Sequence, residues 1–518
     1  MRLDRSVCHW GIWAFAAVMA LWPHAASADP ITAERITIAL SKFEALAEGA
    51  VADGAVPGLA IAVVHDDKVV FLKGFGLREA GKPELVDADT VFQIASLSKP
   101  VSATVVAALV SGGIVSWDSK IADLDPAFRL ADPYPTSELT IRDLFAHRSG
   151  LPGTAGDDLE NIGYDRATIL HRLRFVMPSS SFRAGYSYSN FGLTEGAVAA
   201  ARPTGKSWEE VADEKLYRPL GMASTSSRYA DFLRHADRAA LHIKVDGAWA
   251  AKIKREPDAQ APAGGVSSTA RDLAQWVRLV LGNGVYDGRH LIAADALDQT
   301  HVPLMTRGKN PVSGGESFYG LGWNVEFGRH GLSWGHSGAF STGARTVATF
   351  FPKEKLGIVI LANAFPSGVP EGLSDSLADL VFDGEVEGDW IKAWDGIYAS
   401  LFGPAIEAAK AAYAKPPSPT TPARPDSAYA GRYTNDFIGD ALVSNAGDGL
   451  VLRLGPAGVR SYPLTHFDGD LFLTYPDAEM PDRPAGVSFV IGLDGKASAM
   501  TIDFLDDNHL GTLRRVGD

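Results

Sequence analysis

The chain has 518 residues, 46% of them hydrophobic and 21% charged, with one cysteine and a formal net charge of -14. That length and balance describe a globular protein large enough for two domains or more. An acidic chain with no cluster of Lys and Arg argues against nucleic acid as a partner, and the lack of His-x-x-x-His pairs or carboxylates at metal-ligand spacing leaves a metal mechanism no foothold, so no cofactor is expected.

In chain order, the first 28 residues read as a signal peptide. Arg2 and Arg5 precede an apolar segment from about Gly11 to Trp22, and Ala26-Ser27-Ala28 offers a small-residue cleavage site. The rival, an uncleaved anchor, asks a short segment to span a bilayer. Cleavage after Ala28 predicts a periplasmic or secreted protein with no membrane span in the mature chain. It also removes Cys8, leaving no disulfide, thiol nucleophile or cysteine metal site.

Leu59 to His65 and Val69 to Phe75 are apolar runs joined by Asp66-Asp67-Lys68, a hairpin pattern. From Ser96 the pattern turns helical. Val101, Val105, Val106, Leu109 and Val110 recur at helical spacing until Gly112-Gly113. Thr140 to Phe145, Ser207 to Leu216 and Ser268 to Leu281 read as further helices. Strands return at Leu321 to Val325, Arg345 to Phe351 and Leu356 to Leu361, before a helix near Gly372 to Phe382. Residues 386–428 form a helical and proline-rich linker. Beyond them, short strand-like runs separated by Gly and Asp turns predict a small all-β barrel domain over 429–518.

Ser96-Leu97-Ser98-Lys99 is the first motif with chemistry in it. If a helix begins at Ser96, the spacing of three puts the Lys99 amine beside the Ser96 hydroxyl, a nucleophile with its base. The Ser96 N–H would then serve as an oxyanion donor. Ser96 as a plain helix cap with a solvated Lys99 fits the same four residues, and Pro100 threatens the first turn. Tyr186-Ser187-Tyr188-Ser189-Asn190 is the second motif: Tyr188 and Asn190 point the same way in an extended segment. In the third, Trp334-Gly335-His336-Ser337-Gly338-Ala339, flanking glycines permit close approach, and the Ala339 N–H is a candidate second oxyanion donor. Gly335 to Ala339 also nearly matches a nucleophile elbow built on Ser337. The elbow needs a helix after it, and Thr342 to Val347 reads as strand.

Three motifs in this order resemble the serine β-lactamase and penicillin-binding protein superfamily, in its class C-like branch of esterases and D-aminopeptidase-like hydrolases. Leu144 to Pro152, Tyr319 to Trp323 and Gly357 to Asn363 share the likeness, which covers about Ile36 to Phe382 and extends to a C-terminal lipocalin-like barrel. The resemblance implies an α/β (α+β) fold over residues 29–385, a mainly antiparallel sheet flanked by helices with a helical lobe beside it. It implies Ser96, Lys99 and Tyr188 as catalytic residues and Ser96 and Ala339 N–H groups as the oxyanion hole. Asn190, His336 and Gly338 would bind substrate, Asn190 also orienting Lys99, while His147 and Ser149 would be structural.

The implied reaction runs through a covalent acyl-enzyme on small esters, amides or short peptides. At pKa values near ~10.4 and ~10, Lys99 and Tyr188 need a site that depresses one of them, and a cation beside a phenol would favour phenolate. His336 stands where lactamases commonly carry lysine, and a mostly neutral imidazole grips a substrate carboxylate less firmly. That weighs against the alternatives of β-lactamase or D,D-peptidase activity. A catalytically inactive binding protein on the same scaffold is the reading from another class. The sequence leaves the oligomeric state, the choice between Lys99 and Tyr188 as base, and the barrel's role open.

Overall fold

The computed structural model describes residues 31–447, 449–476 and 483–517; the anticipated signal segment lies outside them. Eight antiparallel strands make the main sheet, in the spatial order Lys68–Gly76, Gly58–His65, Leu356–Ala362, Ala344–Phe351, Gly331–Phe340, Asn324–Gly328, Glu316–Tyr319 and Met305–Lys309. N- and C-terminal parts of the unit thus meet between its second and third strands, with Ala60 facing Leu361 and Ile61 facing Ile360. The hairpin between the first two strands turns on Asp66 and Asp67, both at positive φ (47° and 62°), as a two-residue turn matching the strand twist requires.

Helices cover both faces, which is why Gly58–His65 is apolar throughout and buried along its whole length. Helices Ala33–Ala52 and Val369–Phe382 pack on one face with Leu59, Ile61 and Val63. Helix Ala270–Leu281 packs on the other, burying Leu273, Trp276, Val277 and Val280 at helical spacing behind an N-cap from Thr269 to Asp272 N–H. Trp276 donates its indole N–H to Thr104 Oγ1 at 3.0 Å and stacks on Trp323, tying helix Ser98–Ser111 to the sheet.

The strand expected over Leu321 to Val325 starts only at Asn324. Gly322 sits at φ +80°, and a Cβ there would lie 2.9 Å from the Lys99 carbonyl oxygen, so this stretch is a tight turn behind helix Ser98–Ser111. The two edge strands from Met305 to Tyr319 carry too many polar residues to show an apolar pattern.

Helix Trp390–Ala412 packs on Val369–Phe382, and eight strands between Gly431 and Arg515 close a barrel. The barrel rests against the helical lobe near residues 157–172. Arg172 donates to the Ile438 carbonyl at 3.0 Å, and Gly455, at φ +81°, approaches the Ile162 carbonyl so closely that a Cβ would fall 1.9 Å away. Among the described residues no helix is long and apolar enough to cross a membrane.

Candidate active site

The catalytic turn is built from three sides. Ser96 sits in a 3-10 turn, Ala95–Leu97, ahead of the α-helix, which begins at Ser98 rather than at Ser96. Ala95 takes φ +49°, a strained value for a residue with a Cβ, so the surroundings must hold the turn. They do so through Thr346 Oγ1, which donates to the Ile94 carbonyl at 2.8 Å, and Ser98 Oγ, which accepts from Val266 N–H at 3.0 Å. Pro100 does not loosen the helix, because it lies in the first turn of Ser98–Ser111, where its missing N–H costs no intrahelical bond.

Gly338, expected among the substrate-binding residues, is a point of close approach between strand and turn. A Cβ there would lie 2.1 Å from the Ile94 carbonyl oxygen and 2.4 Å from Thr346 Oγ1, so only glycine lets the strand press against the nucleophile turn. Ala339, next along, lines the same cavity as Ser96. The Ser96 N–H makes no hydrogen bond within the protein and stays available to an oxyanion.

Lys99 is fully buried, its Nζ 3.0 Å from Ser96 Oγ, 2.7 Å from Asn190 Oδ1 and 2.9 Å from the Ala263 carbonyl. The last two groups can only accept. A neutral amine has two N–H bonds and one lone pair, so both N–H groups are spoken for and the lone pair faces the Ser96 hydroxyl. Burial drives its pKa from 10.5 to about 7, against the opposing pull of Asp157. Asn190, the first residue of a helix capped by Ser189, donates through Nδ2 to Asp157 Oδ2 at 3.0 Å, which fixes its Oδ1 towards Lys99. Asn190 thus orients the amine, and its amide also lines the cavity that Ser96 opens onto.

Between Lys99 and Tyr188 the sequence leaves the base open. Burial pushes the Tyr188 pKa far above the usual phenol value, outweighing the nearby Ser96 hydroxyl, so Tyr188 stays protonated. Lys99 Nζ lies over the Tyr188 ring, 4.4 Å from its centre, rather than on the hydroxyl. His147 brackets Tyr188: its carbonyl accepts from Ser187 N–H at 2.9 Å and its Nδ1 from Ser189 N–H at 3.1 Å, with its ring 4.6 Å from the phenol ring.

His336 cannot donate to a substrate as expected. Its Nδ1 lies 2.6 Å from the Ser337 carbonyl, which only accepts, so Nδ1 carries the proton and Nε2 accepts from Tyr319 O–H at 3.0 Å. Burial first, then the Lys99 amine, lower its pKa to about 3. Ser337 lines a separate cavity beside Glu371 and Trp394, among helices on the far side of the strand, and not the one that Ser96 opens onto. Sequence reasoning missed Asp157 and the Ala263 carbonyl, which carry no motif of their own, and gave Tyr319, at the head of the Tyr319 to Trp323 stretch, no role at the site.

The nucleophile opens onto a cavity of about 220 Å³ whose far wall belongs to the barrel: Tyr462, Phe504, Leu505 and Asp507. His330, Asp379 and Asp383 bring ligand-type atoms within 4.8 Å of one another elsewhere. Arg329 pairs with both carboxylates and Trp390 Nε1 donates to Asp379, so that cluster already satisfies itself.

The family model described as Beta-lactamase matches residues 43–381, and one described as a domain of unknown function, DUF3471, matches 415–512. Unguisins hydrolase ungD of Aspergillus violaceofuscus is 26% identical over 89% of this chain and 88% of its own. Penicillin-binding protein 4 of Amycolatopsis lactamdurans is 29% identical over 46% of this chain and 63% of its own. The octameric penicillin-binding protein homologue from Pyrococcus abyssi shares the fold, with a TM-score of 0.58 at 19% identity, covering 92% of this chain and 99% of that one.

Proposed function

This chain belongs to the Beta-lactamase family, a hydrolase fold, and on that footing we propose that it is an exported serine hydrolase working through an acyl-enzyme at Ser96. The supporting observation is the buried Lys99 amine 3.0 Å from Ser96 Oγ, its other two contacts both acceptors and its pKa near neutrality. Lys99 takes the Ser96 proton as Oγ forms its bond to the substrate carbonyl carbon. The oxyanion rests on the N–H groups of Ser96 and Ala339. As the tetrahedral species collapses, the bond to the leaving group breaks and the proton held by Lys99 passes to that group, while the protonated Tyr188 hydroxyl beside Ser96 hydrogen-bonds the departing atom. Water then repeats the sequence on the ester and frees Ser96.

The substrates proposed are small esters, amides or peptides. A neutral His336 closed off by Tyr319 offers no cation to a β-lactam carboxylate. Ser96→Ala and Ser337→Ala variants assayed on p-nitrophenyl acetate test the nucleophile: activity is expected to vanish in the first alone, and survival in both overturns serine catalysis. A chromogenic cephalosporin and a D-alanyl amide complete the panel. Export rests on the charged, apolar and small-residue order of the first 28 residues, and N-terminal sequencing of the secreted protein should begin at Asp29.

A further inference from the structure

The cavity that Ser96 opens onto has a sign. Asp157, Asp158 and Asp507 line it, against Arg255 and Arg483. Two of these five are already committed. Arg255 pairs with the buried Glu160, and Asp157 accepts from Asn190 Nδ2 at 3.0 Å, holding that amide towards Lys99. Asp158 and Asp507 are left facing one guanidinium.

The imbalance falls on Asp158. Among the described residues no hydrogen bond or ion pair reaches its carboxyl. Enclosure in the cavity wall, then Asp507, then Asp157 lift its pKa well above the usual carboxylate value, and Arg483, the weakest of the four influences, opposes them. A cation entering the cavity would relieve both carboxylates at once.

The rest of the wall suits an organic cation. Phe340 comes from the strand beside the nucleophile turn, while Tyr462 and Phe504 come from the barrel, their rings 5.3 Å apart. Aromatic faces with carboxylates among them are the surface on which alkylammonium groups settle. The barrel turn that carries Phe504 and Asp507 is fixed, since Asp503 accepts from Gly486 N–H at 3.0 Å and Asp506 from Gly511 N–H at 2.7 Å.

We infer that the cavity of Ser96 takes substrates carrying an alkylammonium group, held by Asp158 and by the barrel's Asp507. The catalytic half of this inference rests on the serine-hydrolase reading; the binding half does not. The barrel becomes the part of the chain that helps to choose the substrate's charge. A carboxylate-bearing substrate is refused twice, by these acidic groups and by the neutral His336.

The full chain carrying Ser96→Ala, titrated calorimetrically with benzylammonium, benzyl alcohol and benzoate, reads the charge preference at nearly constant shape. Benzylammonium is expected to bind at least about tenfold tighter than either of the others, and the gap to narrow as salt rises from about 50 to about 500 mM. Asp158→Asn and Asp507→Asn should each cut that gap at least about threefold while benzyl alcohol binds as before. Asp507 is exposed in a barrel turn, so its variant keeps the fold. In the wild type, benzylammonium should raise KM for p-nitrophenyl acetate and leave kcat alone. Equal binding of the three probes, a gap that survives both substitutions together, or inhibition with KM unchanged overturns the inference. Activity of Ser96→Ala on p-nitrophenyl acetate overturns the serine reading and leaves the calorimetry standing.

Discussion

Two buried cations lie on opposite faces of one sheet, and they meet opposite fates. Lys99 is fully buried among neutral acceptors, with Asp157 as its charged neighbour beyond Asn190, and burial wins: its pKa falls to about 7. Arg345 is buried too, but Glu371 lies 2.6 Å from it and Tyr398 bonds and stacks with it. There burial is outweighed and the guanidinium is held charged. Burial alone makes neither a base nor a structural bolt; the counter-charge in direct contact decides. Arg345 therefore fastens the helices Val369–Phe382 and Trp390–Ala412 to the sheet and supplies no cation to the cleft.

The largest break in this contrast is Lys99→Met. Losing the base should cost at least about a thousandfold in kcat/KM on p-nitrophenyl acetate. Stability should move the other way. Between pH about 7 and 10.5 the unfolded chain holds a proton on Lys99 that the folded chain lacks, so wild-type stability rises with pH across that window. Denaturant unfolding at pH 7 and pH 9.5 should show the wild type gaining about 3 kcal/mol on Lys99→Met over that interval. Equal gains in both proteins would mean that Lys99 is charged in the fold.

Next comes the compensated site. Glu371→Gln strands a buried guanidinium and should cost about 3 to 5 kcal/mol of unfolding free energy. Arg345→Met combined with Glu371→Gln should recover most of that loss, since the pair's net contribution is small once both charges are gone. Activity per folded molecule should stay within about twofold throughout. A thousandfold loss of activity in the double variant would place Arg345 in the reaction after all.

Much of the architecture was legible because it has period or order. The hairpin, the capped helix before Leu281, the late strands and the barrel all show their patterns in the chain, as do the three motifs whose residues meet at Ser96. Roles were harder to read than places. A motif names Lys99 and Tyr188 but does not say how dry each will be, and dryness raised the phenol while lowering the amine. Sequence cannot show that Tyr319 already occupies His336 Nε2, that Asp157 stands behind Asn190, or that the Ile94 carbonyl comes up against Gly338. The edge strands lack apolar alternation and so left no mark.

The smallest effect sharpens the contrast most finely, because it tunes the counter-charge without touching Lys99. Asp157 is the charge that favours the protonated amine, acting past Asn190. Asp157→Asn removes that charge and leaves an amide able to accept from Asn190. The Lys99 pKa should fall further, so the acid limb of the kcat/KM profile, expected near pH 7 in the wild type, should shift to lower pH. Activity at pH 6 relative to pH 8 should then rise about two- to fivefold. His336, held neutral to about pH 3, adds no limb of its own between pH 5 and 8 in either protein. A limb that stays put in Asp157→Asn would mean that a group other than Lys99 controls the reaction, and the difference between the two buried cations would then say nothing about catalysis.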